Sequence, residues 1–207
     1  MVVPVKVLTR AKSRLTGLAP PARRRLALAF ACDVVSVALA CPVVRRVVVV
    51  TGDEGAAAAL RAFGAHVVDE PAGGGLNAAL THADALLRAD PPGRAGVAAL
   101  SADLPALRSD DLAAVLERAA SHGRTLVADA DDDGTTVLLV TDGSPLDPRY
   151  GPGSSGRHRA AGAVPIPASA GVRRDVDTAA HLREVLRWGV GPHTAGVLGS
   201  LAAADEL

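Results

Sequence analysis

The chain alternates short Val-rich runs with longer Ala/Leu-rich segments of helical period. The apolar runs predict strands over Val2–Val7, Arg46–Thr51, His66–Asp69, Gly96–Ser101, Thr125–Ala130, Thr135–Thr141 and Val164–Pro167. The periodic segments predict helices over Pro21–Ala40, Glu54–Phe63, Leu76–Ala89, Asp110–Ser121, Ser154–Ala161 and Thr178–Trp188. The Val-rich runs do not alternate apolar with polar, which is the pattern of strands covered on both faces. Up to residue 121, strand follows helix as in βαβ units on a mostly parallel sheet. Then "DADDDG" (129–134) joins two strand-like runs as a hairpin turn would, so the second half is expected to carry a mixed sheet. Further loops are marked by "PAGGG" (71–75), "ADPPGR" (89–94) and "DGSPLDPRYGPG" (142–153). Ligands of open α/β sheets bind beyond the carboxyl ends of strands, which singles out the loops after residues 7, 51, 69, 101 and 141.

No internal repeat or long linker interrupts this pattern, so residues 1–207 read as a single domain. Hydrophobic residues are 49% of the chain but aromatics only 2%, so Val, Leu and Ala must build the core. Twenty-two basic residues balance twenty-two acidic ones. No overall field favours nucleic acid or a membrane surface as partner, and any electropositive site must be local. Cys32 and Cys41 fit no zinc spacing and make no disulfide framework, so two reduced thiols are expected. No secretory leader is visible before the first strand, and runs such as Val47–Val50 are far too short to span a bilayer. The expectation is a soluble, cytoplasmic protein.

Local charge then changes the picture. "VPVKVLTRAKSRL" (3–15) carries Lys6, Arg10, Lys12 and Arg14 with no acid between them. A loop between strand and helix can wrap an anion with N–H groups and cationic side chains, and a triphosphate suits it. It is not a Walker A loop, because G-x-x-x-x-G-K-[ST] is absent. In "EPAGGGLNAAL" (70–80), glycines permit close backbone approach and Asn77 stands at a helix start, facing a base or ribose or capping the helix. "LSADLPAL" (100–107) puts Asp103 directly after a strand, where a carboxylate can hold a metal ion or shape a turn. In "RRDVDTAAHL" (173–182), Asp175 and Asp177 share one face of an extended segment. Asp177 or Thr178 suits the N-cap of the next helix, which leaves Asp175 as the better metal ligand. "RYGPGSSGRHRAAGA" (149–163) satisfies G-x-G-x-x-G, but no strand precedes it, so a dinucleotide fingerprint is rejected. The G-x-S-x-G spacing of a nucleophile elbow also fails. Its glycines, serines and following Arg157, His158 and Arg159 would cradle a phosphate or carboxylate. None of the scattered histidines is assigned to metal.

In this order, "VPVK…RAKSRL", "ADLPAL", "GTTVLL", "YGPGSSGRHRAAGA" and "DVDTAAHL" resemble the 2-phospho-L-lactate/phosphoenolpyruvate guanylyltransferases of deazaflavin coenzyme F-420 synthesis. The resemblance runs from about Val2 to Leu186; "GPGSSGRHRAAGA" and "AKSRL" are its most specific parts. It implies an α/β fold, a nucleotidyltransferase-type α/β/α sandwich on a mainly parallel mixed sheet. It implies GTP across Lys6, Arg10, Lys12, Arg14, Gly75 and Asn77, and Mg²⁺ on Asp103 and Asp175. It also implies a small phosphorylated three-carbon acid on Thr135, Gly151 and Ser154. The turn "DDDGTT" departs from the shorter, glycine-rich turn of relatives, so Thr135 and Thr136 both remain candidates for that contact.

The implied reaction joins the acid's phosphate to the α-phosphate of GTP and expels pyrophosphate, with Lys12, Asp103 and Asp175 as catalytic residues. The attacking oxygen is already ionised, so alignment and charge neutralisation are needed rather than a base. On this reading the cations of the first loop are unpaired because their counterions arrive with the nucleotide. Alternatives are a nucleotidyltransferase for a molybdopterin or sugar phosphate, or a non-catalytic GTP-binding regulator. The Ala/Arg-rich composition leans toward phosphoenolpyruvate over 2-phospho-L-lactate as acceptor.

Overall fold

The computed structural model describes residues 1–10, 12–89 and 96–204; of Arg10 only the backbone is described. Seven strands form one sheet: β1 (Val2–Pro4), β2 (Val48–Thr51), β3 (His66–Asp69), β4 (Val97–Leu100), β5 (Arg124–Ala128), β6 (Thr135–Val140) and β7 (Val164–Pro165). Their spatial order is β3-β2-β1-β4-β6-β5-β7. Among these strands β6 alone runs against the rest, antiparallel to both β4 and β5. The helices are α1 (Pro20–Ala40), α2 (Glu54–Ala62), α3 (Gly75–Ala89), α4 (Ser109–Ala119), α5 (Ser154–Ala160), α6 (Ala170–Arg173), α7 (Ala179–Leu186) and α8 (Pro192–Ala203).

Successive strand residues enter opposite cores, which explains the unbroken apolar runs. Val47 and Val49 join Val3, Ala98 and Leu100 in a cluster with α1, α2 and α4. Val48 and Val50 join Val2, Val97 and Ala99 in a cluster with Ala79, Leu80 and Ala83 of α3. A third cluster seats α7 and α8 on α1 through Phe30, Val185 and Leu201. Cys32 and Cys41 are free and buried. No helix among the described residues is long and apolar enough to cross a membrane.

Helix α8 was not expected, because Pro192, Gly196 and Gly199 weaken its helical signal. A buried carboxylate holds it: Asp33, inside α1, accepts the N–H groups of His193 at 3.0 Å and Thr194 at 2.9 Å. A Cβ on Gly191 would lie 2.2 Å from the Asp33 carboxyl carbon, so this approach requires glycine.

One sequence expectation is corrected by topology. Because β6 is reversed, the loop after residue 141 lies at the amino edge of the sheet, with Val140 opposite Val97. The start of β6, at Thr135, lies instead at the carboxyl edge, where the Ser101 N–H donates to the Thr136 carbonyl at 2.9 Å. The loop "ADPPGR", from Asp90 on, lies outside the described residues.

Candidate active site

Strands β1 and β4 are parallel neighbours, and the chain turns away from β1 toward β2 on the other side. This is the switch point at which α/β sheets open a ligand crevice. The basic loop leaves β1 here. Its 3₁₀ turn, Leu8–Arg10, is anchored where the Leu8 N–H donates to the Asp53 carboxylate at 2.9 Å. Asp103 emerges beside it from β4. The Val176 N–H donates to the Asp103 carbonyl at 3.0 Å, which draws the segment of Asp175 and Asp177 to the same mouth.

Lys12 is the hub. Its backbone sits in the left-handed region, φ 55°, a costly conformation for a non-glycine residue. Its side chain is 9% exposed, and its ammonium donates to Asp103 and, at 3.1 Å, to Asp177. Arg14 pairs with the second Asp177 oxygen. Lys12 and Arg14 are therefore not unpaired in the free protein, a correction of the sequence reading: folding supplies counterions from 91 and 165 residues away along the chain. Asp177 is likewise corrected. The N-cap of α7 is Thr178, whose hydroxyl accepts the His181 N–H at 3.2 Å, while Asp177 binds the two cations.

Burial alone would depress the Lys12 pKa, but Asp103 and Asp177 outweigh it and hold it above the ordinary value. Burial likewise works against an ionised Asp177, and there Lys12, Arg14 and His181 win and lower its pKa. Asp175 is the group left over. Its carboxylate makes no ion pair or hydrogen bond with the described residues. Burial first, then repulsion from Asp103 and Asp177, push it up to about 7, against a smaller opposing pull from Lys12. Too much negative charge for the cations present, on hard oxygen donors, is the donor chemistry of a divalent ion such as Mg²⁺. No three His, Cys, Asp or Glu side chains among the described residues converge to hold an ion unaided.

A second group stands at the start of β6 and α5. The Ser154 hydroxyl donates to Thr135 Oγ1 at 3.2 Å, and His158 Nδ1 lies 2.9 Å from the same oxygen. All three side chains are buried. Thr136 points elsewhere: its hydroxyl lies 3.5 Å from the Val127 carbonyl, within the sheet. The glycine loop turns through left-handed backbone at Gly151 and Gly153, φ 124° and 70°. The acids of "DADDDG" fold their own turn and brace this loop. Asp129 accepts the N–H groups of Asp131, Asp133 and Gly134. Asp133 takes the Gly153 N–H on its carboxylate and the Ser155 N–H on its carbonyl, both at 2.9 Å. With the Ser154 N–H on the Gly151 carbonyl at 3.0 Å, the N–H groups of Gly153, Ser154 and Ser155 are bonded within the protein.

The remaining sequence candidates lie around these groups. Lys6 is exposed just beyond β1, and Gly75 opens α3 at φ 64°. The side chain of Arg10 lies outside the described residues. Asn77 forms a two-way clamp, donating to the Tyr150 carbonyl at 3.2 Å and accepting the Tyr150 N–H at 2.8 Å. It thus ties the start of α3 to the glycine loop, leaving one N–H and one lone pair for a ligand. A cleft of about 500 Å³ opens at the ends of β2 and β3, lined by Asp53, Glu54, Arg61, Asp69 and Glu70 among others. The cleft lies at the loops after residues 51 and 69, two of those singled out in the sequence. Sequence reasoning missed the ion-pairing role of Asp177, of which the Asp175–Asp177 spacing carried a trace, and the bonding of His158 to Thr135, of which no local pattern carried one.

The family model for CofC-like guanylyl transferases matches residues 1–205. The chain is 52% identical over 209 aligned residues to the phosphoenolpyruvate guanylyltransferase of Streptomyces coelicolor, covering 100% of this chain and 98% of that protein. Among solved structures, a protein of Desulfovibrio desulfuricans G20 described as a nucleotide-diphospho-sugar transferase superposes with a TM-score of 0.73. It shares 17% identity, over 98% of this chain and 94% of its own. The CMP:2-keto-3-deoxy-manno-octonic acid synthetase complexed with CTP gives a TM-score of 0.53 at 14% identity, over 89% of this chain and 95% of its own. These likenesses bear out a nucleotidyltransferase-type fold on a mostly parallel sheet. The chain belongs to the CofC-like guanylyl transferase family.

Proposed function

We propose that this protein is a cytoplasmic, single-domain enzyme that transfers GMP from GTP to phosphoenolpyruvate, releasing pyrophosphate, in coenzyme F-420 synthesis. The observation that carries the reading is the meeting of Asp103, Asp175 and Asp177 around Lys12 at the switch point. The preference for phosphoenolpyruvate rests on the relatives' names together with their near-complete coverage.

An oxygen of the acceptor's phosphate attacks the α-phosphorus of GTP; the bond to the β-phosphate oxygen breaks and pyrophosphate leaves. The attacking oxygen is ionised, so the residues supply placement and charge rather than a base. Lys12 stays cationic through its raised pKa, and the triphosphate gives its ammonium a further set of anionic partners. Lys6, Arg10 and Arg14 add positive charge along the same loop, with Gly75 and Asn77 on the facing loop. The acid-lined cleft by Asp69 and Glu70 offers acceptors to the N–H groups of guanine. Asp103 and Asp175 are the proposed Mg²⁺ ligands, and a bound ion would offset the charge of phosphate oxygens brought together there. Thr135, Ser154 and the Gly151 loop hold the acceptor through its phosphate or carboxylate.

The test is pyrophosphate release with GTP and Mg²⁺, offering phosphoenolpyruvate and 2-phospho-L-lactate in turn. Release with phosphoenolpyruvate supports the reading. Release with neither acceptor ends it, and preference for 2-phospho-L-lactate reassigns the substrate.

A further inference from the structure

Helix α5 carries a wholly buried histidine that the chemistry above does not use. His158 Nε2 lies 2.9 Å from the Arg149 N–H, and Nδ1 lies 2.9 Å from Thr135 Oγ1. A backbone N–H can only donate, so Nε2 must be the bare, accepting nitrogen. A neutral imidazole then carries its proton on Nδ1 and donates it to Thr135. The ring is held neutral: burial first, then the charges of Arg157, Arg124 and Arg149, lower its pKa to about 4. Tyr150 packs edge-on against it at 5.1 Å and fixes the ring plane.

The consequence lies in proton counting. Thr135 and Ser154 have two hydroxyl protons between them, and one is spent on the bond joining them. Because His158 donates into the pair, the other proton has no acceptor among the described residues. With the opposite tautomer, that proton would be spent on Nδ1 and the pair would face a ligand with lone pairs alone. We propose that His158 is a positioning residue that sets the hydrogen-bond direction of the Thr135–Ser154 pair, so that the pair offers a spare O–H to an anionic oxygen of the acceptor substrate. The inference rests on the acceptor site proposed above and deepens it. A donor there discriminates for a phosphate or carboxylate oxygen, since a pair facing lone pairs would repel it.

Two measurements test it. The first needs no turnover: nitrogen NMR of the full chain labelled at histidine, with the His158 signals assigned by their loss in His158→Asn. The expected result is a neutral ring protonated at Nδ1, with no titration near pH 6.5. A ring protonated at Nε2, or one titrating near 6.5, overturns the proposal. The second compares His158→Leu with His158→Asn, whose amide can still donate toward Thr135. In His158→Leu the KM for phosphoenolpyruvate should rise about ten- to a hundredfold, the range of a hydrogen bond to a charged group, with the KM for GTP nearly unchanged. His158→Asn should recover much of that loss. Equal effects on both substrates, or no recovery with asparagine, would make the role structural and overturn the proposal. If the parent protein releases no pyrophosphate with any acceptor, the functional reading fails, while the tautomer result still decides the hydrogen-bond direction.

Discussion

The Val176 N–H donates to the Asp103 carbonyl at 3.0 Å, a single backbone bond across 73 positions of sequence. It joins the loop leaving β4 to the segment entering α7. It helps bring Asp175 and Asp177 to the mouth where Asp103 stands, and there the Lys12 ammonium bonds Asp103 and Asp177.

Asp103→Asn and Asp175→Asn should each lower turnover by about 10²–10³, the usual effect of losing one preorganised electrostatic contact. Steady-state pyrophosphate release measures this. Full activity in either variant removes that carboxylate from the chemistry.

Asp175 also makes stability depend on pH. Its carboxyl is raised to about 7 in the fold, against 3.8 ordinarily, so between these values the folded chain holds more protons than the unfolded one. Stability is therefore lost as pH rises from about 4 to 7, by a few kcal/mol at most. In metal-free protein, Asp175→Asn should melt with the parent near pH 4 and above it at pH 8. Adding Mg²⁺ at pH 8 should raise the parent's melting temperature more than the variant's. Parallel melting profiles across this range would contradict the account.

Much of the architecture was legible because most strands are buried on both faces and α2, α3, α4 and α7 each keep one apolar face. His66–Asp69 was read with its observed bounds, and the hairpin about "DADDDG" was found. What the sequence hid was long-range. Nothing near Pro192 signals that Asp33, 160 residues before His193, accepts the first N–H groups of α8. Lys12 and Arg14 looked unpaired because their partners lie far along the chain. Asp177 looked like a cap because Asp before an Ala-rich run commonly is one. Thr135 was picked out by resemblance; its place at the carboxyl edge follows from the reversal of β6, which periodicity does not reveal.

Lys12→Met should lower turnover by about 10² or more and also destabilise the metal-free protein by about 1–3 kcal/mol, since Asp103 and Asp177 then repel without a cation between them. Thermal melts with and without Mg²⁺ separate the two effects: the ion should restore stability but not rate.

Ser154→Ala should weaken the three-carbon acceptor about tenfold or more while leaving GTP nearly unaffected, because the serine bonds Thr135 and not the basic loop. Equal changes in both KM values would reject this division of the pocket.

Asp33→Ala provides a control remote from the site. It strips two N–H groups at the start of α8 of their acceptor and should cost about 1–3 kcal/mol in urea melts. Both KM values should stay as in the parent protein.

The central claim is that clustered acids and a buried lysine let two phosphorylated anions react. The most direct measurement is pyrophosphate release from GTP and phosphoenolpyruvate, with Mg²⁺ and with excess chelator, in the parent protein and in Asp103→Asn. The account predicts rapid release in the parent with Mg²⁺, and little in the chelated sample or the variant. Undiminished release in either would contradict it.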